Sequence, residues 1–127
     1  MNEPKKILIV EDEQSLLQVL ADKFDSEGFE VFTAKDGQEA VDITFAQWPD
    51  IILLDLVMPR VDGMTVIKKL QANEKASKIP VVVLTNLSDS EKVYEAVHNN
   101  AYDYLVKADW SIEDVVAKVK ERLTKAE

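Results

Sequence analysis

Four short apolar runs in this chain each lead into a residue able to do chemistry. Ile7-Leu8-Ile9-Val10 runs into Glu11-Asp12-Glu13, Ile51-Ile52-Leu53-Leu54 ends on Asp55, Val81-Val82-Val83-Leu84 on Thr85, and Tyr102 to Val106 on Lys107. If the runs are neighbouring strands, two or three carboxylates, one hydroxyl and one ammonium converge on a single crevice. Unit charges about 4 Å apart at an effective dielectric near 20 interact by roughly 4 kcal/mol, so Glu11, Asp12 and Asp55 together repel strongly without a cation. A hard divalent ion answers that need. Mg2+ takes oxygen ligands, keeps several waters and commonly uses one or two protein carboxylates with a phosphate. A zinc site would want Cys or several His, and the chain has no Cys and one His.

The elements that must bring these residues together follow from the hydrophobic pattern. Five β-rich runs recur at Ile7 to Val10, Glu30 to Ala34, Ile51 to Leu54, Val81 to Leu84 and Tyr102 to Val106. The first, third and fourth are continuously apolar, as in central parallel strands covered on both faces, while the second and fifth are mixed and suit sheet edges. Between them lie helical spacings. Leu16, Leu17, Leu20 and Phe24 share a face that ends before Gly28; Ala40, Val41, Thr44 and Phe45 repeat the spacing before Trp48-Pro49. Met64, Val66, Ile67 and Leu70 mark a third helix and Val93, Ala96 and Val97 a fourth. Ile112, Val115, Val116, Val119 and Leu123 mark a fifth, with Ser111 and Asp114 as a capping box at its start. Five alternating strands and helices predict an α/β doubly wound parallel sheet with its site at the C-terminal strand ends.

A length of 127 residues is about one domain. Apolar residues at 46% and charged residues at 31% suit a globular chain with a real core. The net charge of -9 argues against direct DNA binding and against an anionic membrane. No apolar stretch reaches the roughly 20 residues of a membrane span, and the start lacks a signal-peptide core, so a cytoplasmic location is expected.

The segments Ile7 to Glu13, Leu53-Leu54-Asp55-Leu56-Val57-Met58-Pro59 with Asp62-Gly63, Leu84-Thr85 and Asp103-Tyr104-Leu105-Val106-Lys107 together resemble the receiver domain of two-component response regulators. The resemblance runs from about Lys5 to Leu123, with the motifs in order and register. It implies a flavodoxin-like (βα)5 fold with strand order 2-1-3-4-5; the length leads to the expectation of one receiver domain over residues 1–127 with no output domain, either a stand-alone receiver or a fragment of a longer regulator or hybrid kinase. The resemblance implies that Asp55 accepts a phosphoryl group from a sensor histidine kinase or histidine phosphotransfer protein. Asp12, Asp55 and the Val57 carbonyl would bind Mg2+, with Glu11 helping through water. Lys107 would place a positive charge on the phosphoryl group and Thr85 a hydroxyl. Thr85 and Tyr104 would couple as the switch that changes the surface of the fourth helix, fifth strand and fifth helix. That surface would meet a downstream protein or a second copy in a homodimer. Such a domain is a regulator that assists its own phosphorylation, not a conventional enzyme.

The chain departs from the family pattern near the site. Ala108 follows Lys107 where most members carry Pro in a cis bond; a non-proline cis bond costs roughly 2.5 to 4 kcal/mol, so a trans bond and a reshaped loop are expected. Arg60 and Asn100 stand where Gly is usual, and Asn86 follows Thr85 where a small residue is usual. Val57 and Leu87 cannot orient an attacking water, which implies slow autodephosphorylation. Glu13, Asp62 and Asp89 read as helix-start acids, His98 as an exposed helix-end residue, and Trp48 as packing under the helix before Pro49. Trp110 suits either an anchor for the last helix or a partner surface.

Other functions fit less well. An FMN site would need backbone donors and small hydroxyl residues after the first strand, where Glu11-Asp12-Glu13 repels a phosphate. An aspartyl phosphatase would want a second acid two positions after Asp55, where Val57 stands. A phosphorylation-independent interaction module remains as the alternative.

Overall fold

Five strands form one parallel sheet: β1 (Lys6–Val10), β2 (Glu30–Ala34), β3 (Ile51–Asp55), β4 (Val81–Thr85) and β5 (Tyr102–Val106), in the spatial order β2-β1-β3-β4-β5. The computed structural model describes residues 3–56, 63–85, 102–106 and 111–126, with Thr85, Tyr102, Tyr104, Val106, Lys125 and Ala126 described by backbone alone. The expected fourth helix and the readings at Val57, Arg60, Asp62, Asn86, Leu87, Asp89, His98, Asn100, Lys107, Ala108 and Trp110 lie outside the described residues.

Alternation along the strands decides the layering, because successive side chains leave opposite faces of a sheet. Leu8, Val10, Ile52, Leu54, Val81 and Val83 enter one buried cluster, whereas Ile7, Ile9, Ile51, Leu53, Val82 and Leu84 enter the other. Both faces are thus covered, which is why these strands read as unbroken apolar runs. Helices α2 (Gly37–Gln47) and α3 (Gly63–Gln71) close the first cluster through Ala40, Val66, Ile67 and Leu70. Helix α1 (Gln14–Ser26) and the C-terminal helix (Ile112–Ala126) close the second through Leu17, Leu20, Phe24, Val115 and Val119. The mixed runs β2 and β5 are the edges, as their sequences imply.

Local chemistry sets the helix ends. Helix α1 stops as Gly28 takes φ +93, with its N–H on Asp25 O and that of Phe29 on Phe24 O, a left-handed stop that Gly tolerates best. The C-terminal helix begins with the expected capping box: Ser111 N donates to Asp114 Oδ2 at 2.9 Å and Asp114 N to Ser111 Oγ at 3.2 Å. A side-chain N-cap went unread in the sequence, where Asp36 Oδ1 accepts from Glu39 N at 2.8 Å to open α2. Glu27 joins α1 to the C-terminal helix by ion pairs with Lys23 and Lys120.

Two helix faces differ in detail from the sequence expectation. Phe45 lies outside the α2 core face at 37% exposure, its ring edge-on to Trp48 with centroids 5.4 Å apart. Trp48 packs against the core as expected, but it does so from a left-handed backbone, φ 47, with Lys75 Nζ 4.0 Å above its ring. Glu13 is the residue before α1, yet its carboxylate caps no helix N–H and accepts instead from Ser15 Oγ at 2.9 Å.

Candidate functional site

The sheet register carries the candidate residues to one edge. Asp55 ends β3 opposite Leu84, so Thr85 stands one residue further along β4, and Thr85 pairs with Val106, the residue before Lys107. Beyond β1, Glu11 N donates to Ala34 O at 3.0 Å, extending the ladder with β2 by one residue. Beyond β3, Leu56 N does the same to Leu84 O at 2.9 Å. Glu11 and Asp55 are therefore held by sheet hydrogen bonding rather than by free loops.

Both acids are buried, Glu11 at 2% and Asp55 at 1% exposure, while Asp12 is half-buried. Glu11 Oε2 accepts from Glu13 N at 3.0 Å. Its other oxygen, Oε1, is buried and receives no donor, because the groups facing Glu11 are the carboxyls of Asp55 and Asp12, acceptors like itself. Burial first, then the hydrogen bond and charge of Asp55, push the Glu11 carboxyl up to about 8; the Glu13 N–H pulls the other way and loses. The Glu11 carboxyl is thus biased toward its neutral form. The sequence showed the repulsion among these acids but not the burial that pushes Glu11 in this direction.

The three acids are neighbours without forming a closed ligand shell; among the described residues, no group of three or more Asp, Glu, His or Cys side chains gathers at metal-binding spacing. The donors are all hard oxygens, which suits Mg2+, an ion that completes its shell with water. The Thr85 and Tyr104 side chains and all of Val57 and Lys107 lie outside the described residues; the backbones of Thr85 and Tyr104 occupy β4 and β5 as expected. Sequence reading passed over Leu56 and Gly63 as individual contributors. Gly63, the first residue of α3, is buried against Leu56, the residue after Asp55. The Asp62-Gly63 pair was the available signal.

Known proteins match both the sequence and this arrangement. The family model for the response regulator receiver domain matches residues 7–120. The chain is 37% identical over 123 residues to the Probable transcriptional regulator ycf27 of Cyanophora paradoxa, covering 97% of this chain and 50% of that protein. It is 31% identical over 122 residues to the DNA-binding dual master transcriptional regulator RpaA of Synechocystis sp., covering 96% of this chain and 50% of that protein. It thus spans about half the length of these curated relatives. Among solved structures, the receiver domain of sensor histidine kinase PA1611 from Pseudomonas aeruginosa PAO1, which holds a magnesium ion in its active site cleft, superposes with a TM-score of 0.82 at 27% identity, covering 95% of this chain and 98% of that one. Sequence match, sheet order and buried acids agree: the chain belongs to the response regulator receiver domain family.

Proposed function

We propose that this domain is the phosphoacceptor switch of a two-component relay and that Asp55 is its acceptor. The observation that carries the reading is the pair of buried carboxyls, Glu11 and Asp55, held at the C-terminal edge of the central strands. In the proposed transfer, an Asp55 oxygen forms a new P–O bond while the P–N bond of a phosphohistidine on a sensor kinase or phosphotransfer protein breaks. The histidine nitrogen leaves with the bonding electrons. Asp12, Asp55 and the Val57 carbonyl would hold Mg2+, with Glu11 assisting through water, and the bound ion would supply positive charge for the phosphoryl oxygens. The orphaned, buried Oε1 of Glu11 and the all-oxygen donor set fit that ion.

Lys107 adds a second point charge and Thr85 a hydroxyl to the phosphoryl group in this reading. Thr85 and Tyr104 then bias the surface formed by the fourth helix, β5 and the C-terminal helix toward a downstream protein or a second copy of the chain. Val57 and Leu87 leave an attacking water unoriented, so the acyl phosphate is long-lived. The receiver core is proposed to span about residues 5–123. Among the described residues, no helix is long and apolar enough to cross a membrane. A cytoplasmic location and no direct DNA contact by this segment complete the reading, supported by its net charge of -9.

The test is incubation with a small acyl-phosphate donor and Mg2+, followed by intact-mass measurement. A gain of one phosphoryl group, lost in Asp55→Asn and in EDTA, is expected. No gain in a folded, Mg2+-loaded protein would favour a phosphorylation-independent interaction module.

A further inference from the structure

We infer that Gly63 is a positioning residue for the acceptor: the space left by its missing side chain is filled by Leu56, and this contact fixes the peptide that follows Asp55. The inference rests on the phosphoacceptor reading above. A Cβ built on Gly63 would run into Leu56 Cδ2, and would stand 3.5 Å from Leu56 Cγ and 3.3 Å from Leu56 Cα. Gly63 is not among the residues with positive φ, so close approach, not backbone freedom, is what demands glycine here.

Leu56 has an only partly buried side chain, so the restraint that matters is on its backbone. Its N–H is tied to Leu84 O at 2.9 Å, and its side chain packs against the core cluster that contains Leu54, Val66, Ile67 and Leu70. The preceding residue is Asp55, 1% exposed and locked in β3. Packed interiors pass strain on rather than absorb it. A methyl group at position 63 therefore moves the Leu56 backbone by a few tenths of an ångström. That movement reaches the carboxylate of the adjoining Asp55, the proposed acceptor and metal ligand. Misplacing a reacting group by about 1 Å costs on the order of a hundredfold in rate, so a shift of this smaller size is expected to cost about tenfold.

The test compares the full chain as wild type, Gly63→Ala, Leu56→Ala, the double variant, and Val66→Ala as a control that loosens α3 without crowding Leu56. Mg2+ affinity is read by calorimetry, and phosphorylation rate by intact mass at saturating Mg2+ and acyl-phosphate donor. Gly63→Ala is expected to weaken Mg2+ binding and slow phosphorylation about tenfold each, with the rate loss persisting at saturation. Trimming Leu56 in the same chain removes the obstructing carbons, so the double variant should return to within about threefold of Leu56→Ala. Equal losses in Val66→Ala, simple additivity in the double variant, or an unchanged Gly63→Ala would each overturn the inference. If Gly63→Ala does not fold, Leu56→Phe crowds the same contact from the other side and must show the same losses. A wild-type chain that takes no phosphoryl group refutes the phosphoacceptor reading and this inference together; a competent wild type with an equally competent Gly63→Ala refutes this inference alone.

Discussion

Replacing Glu11 with glutamine is expected to make the metal-free protein more stable, and increasingly so as pH rises. Glutamine keeps the size of the side chain and can donate toward Asp55 without ever carrying a charge. In the wild type, burial and Asp55 push the folded-state Glu11 carboxyl up to about 8, from 4.5 for an unperturbed glutamate. Between those values the folded state binds more protons than the unfolded chain, so this group makes stability fall as pH rises. Taken alone, it lowers stability by about 1 kcal/mol at pH 5 and about 4 kcal/mol at pH 7.5, relative to acid where both states are protonated. Other titrating groups largely cancel between the two proteins, so the advantage of Glu11→Gln should grow by about 3 kcal/mol from pH 5 to pH 7.5. Urea unfolding in EDTA, followed by circular dichroism at intervals across that range, measures it. With saturating Mg2+ the wild type should recover much of the difference, because ion binding displaces the proton and uses the carboxylate that glutamine lacks. Stability curves that run parallel in EDTA, within about 0.5 kcal/mol, would refute the raised Glu11 titration.

Other perturbations probe the scaffold. Leu20→Ala removes a side chain 1% exposed between α1 and the sheet and should cost about 2 to 5 kcal/mol in urea unfolding. Gly28→Ala meets no atom within 4 Å, yet φ +93 disfavours any side chain; a loss of about 1 kcal/mol is expected, with Gly28→Asn losing less. Ser111→Ala deletes one arm of the capping box and should cost about 1 kcal/mol, visible as faster amide exchange in the first turn of the C-terminal helix. The Lys120 ammonium, with Lys23 behind it, holds the Glu27 carboxyl below its ordinary value. The pair's contribution is therefore present above the ordinary Glu range and lost as pH falls through the lowered one; Lys120→Met should flatten that acid-side loss in a pH series of thermal unfolding.

What could be read from the residues, and what could not, divides by the range of the interactions. The continuous apolar runs of β1, β3 and β4 report burial on two faces, a property each strand carries in its own composition, and so they mark the central strands and the two edges, while the order itself was implied by the family resemblance. The Ser111–Asp114 box was legible because both partners sit three residues apart, and the Asp36 cap on Glu39 has the same spacing. Phe45 matched a helical spacing yet faces outward, because its ring packs on Trp48 beyond the helix end, a contact that periodicity within α2 does not encode. The acids of the site were legible as strand-end residues, but their electrostatics were not. How far the Glu11 carboxyl is pushed toward its neutral form beside Asp55 depends on burial, which is a product of the packed sheet and not of either segment. The same holds for Gly63, whose meaning lies in Leu56, seven positions earlier and brought back by the start of α3. Position along a strand can be read locally; the protonation state and fine placement of what stands there are set by neighbours that only the fold supplies.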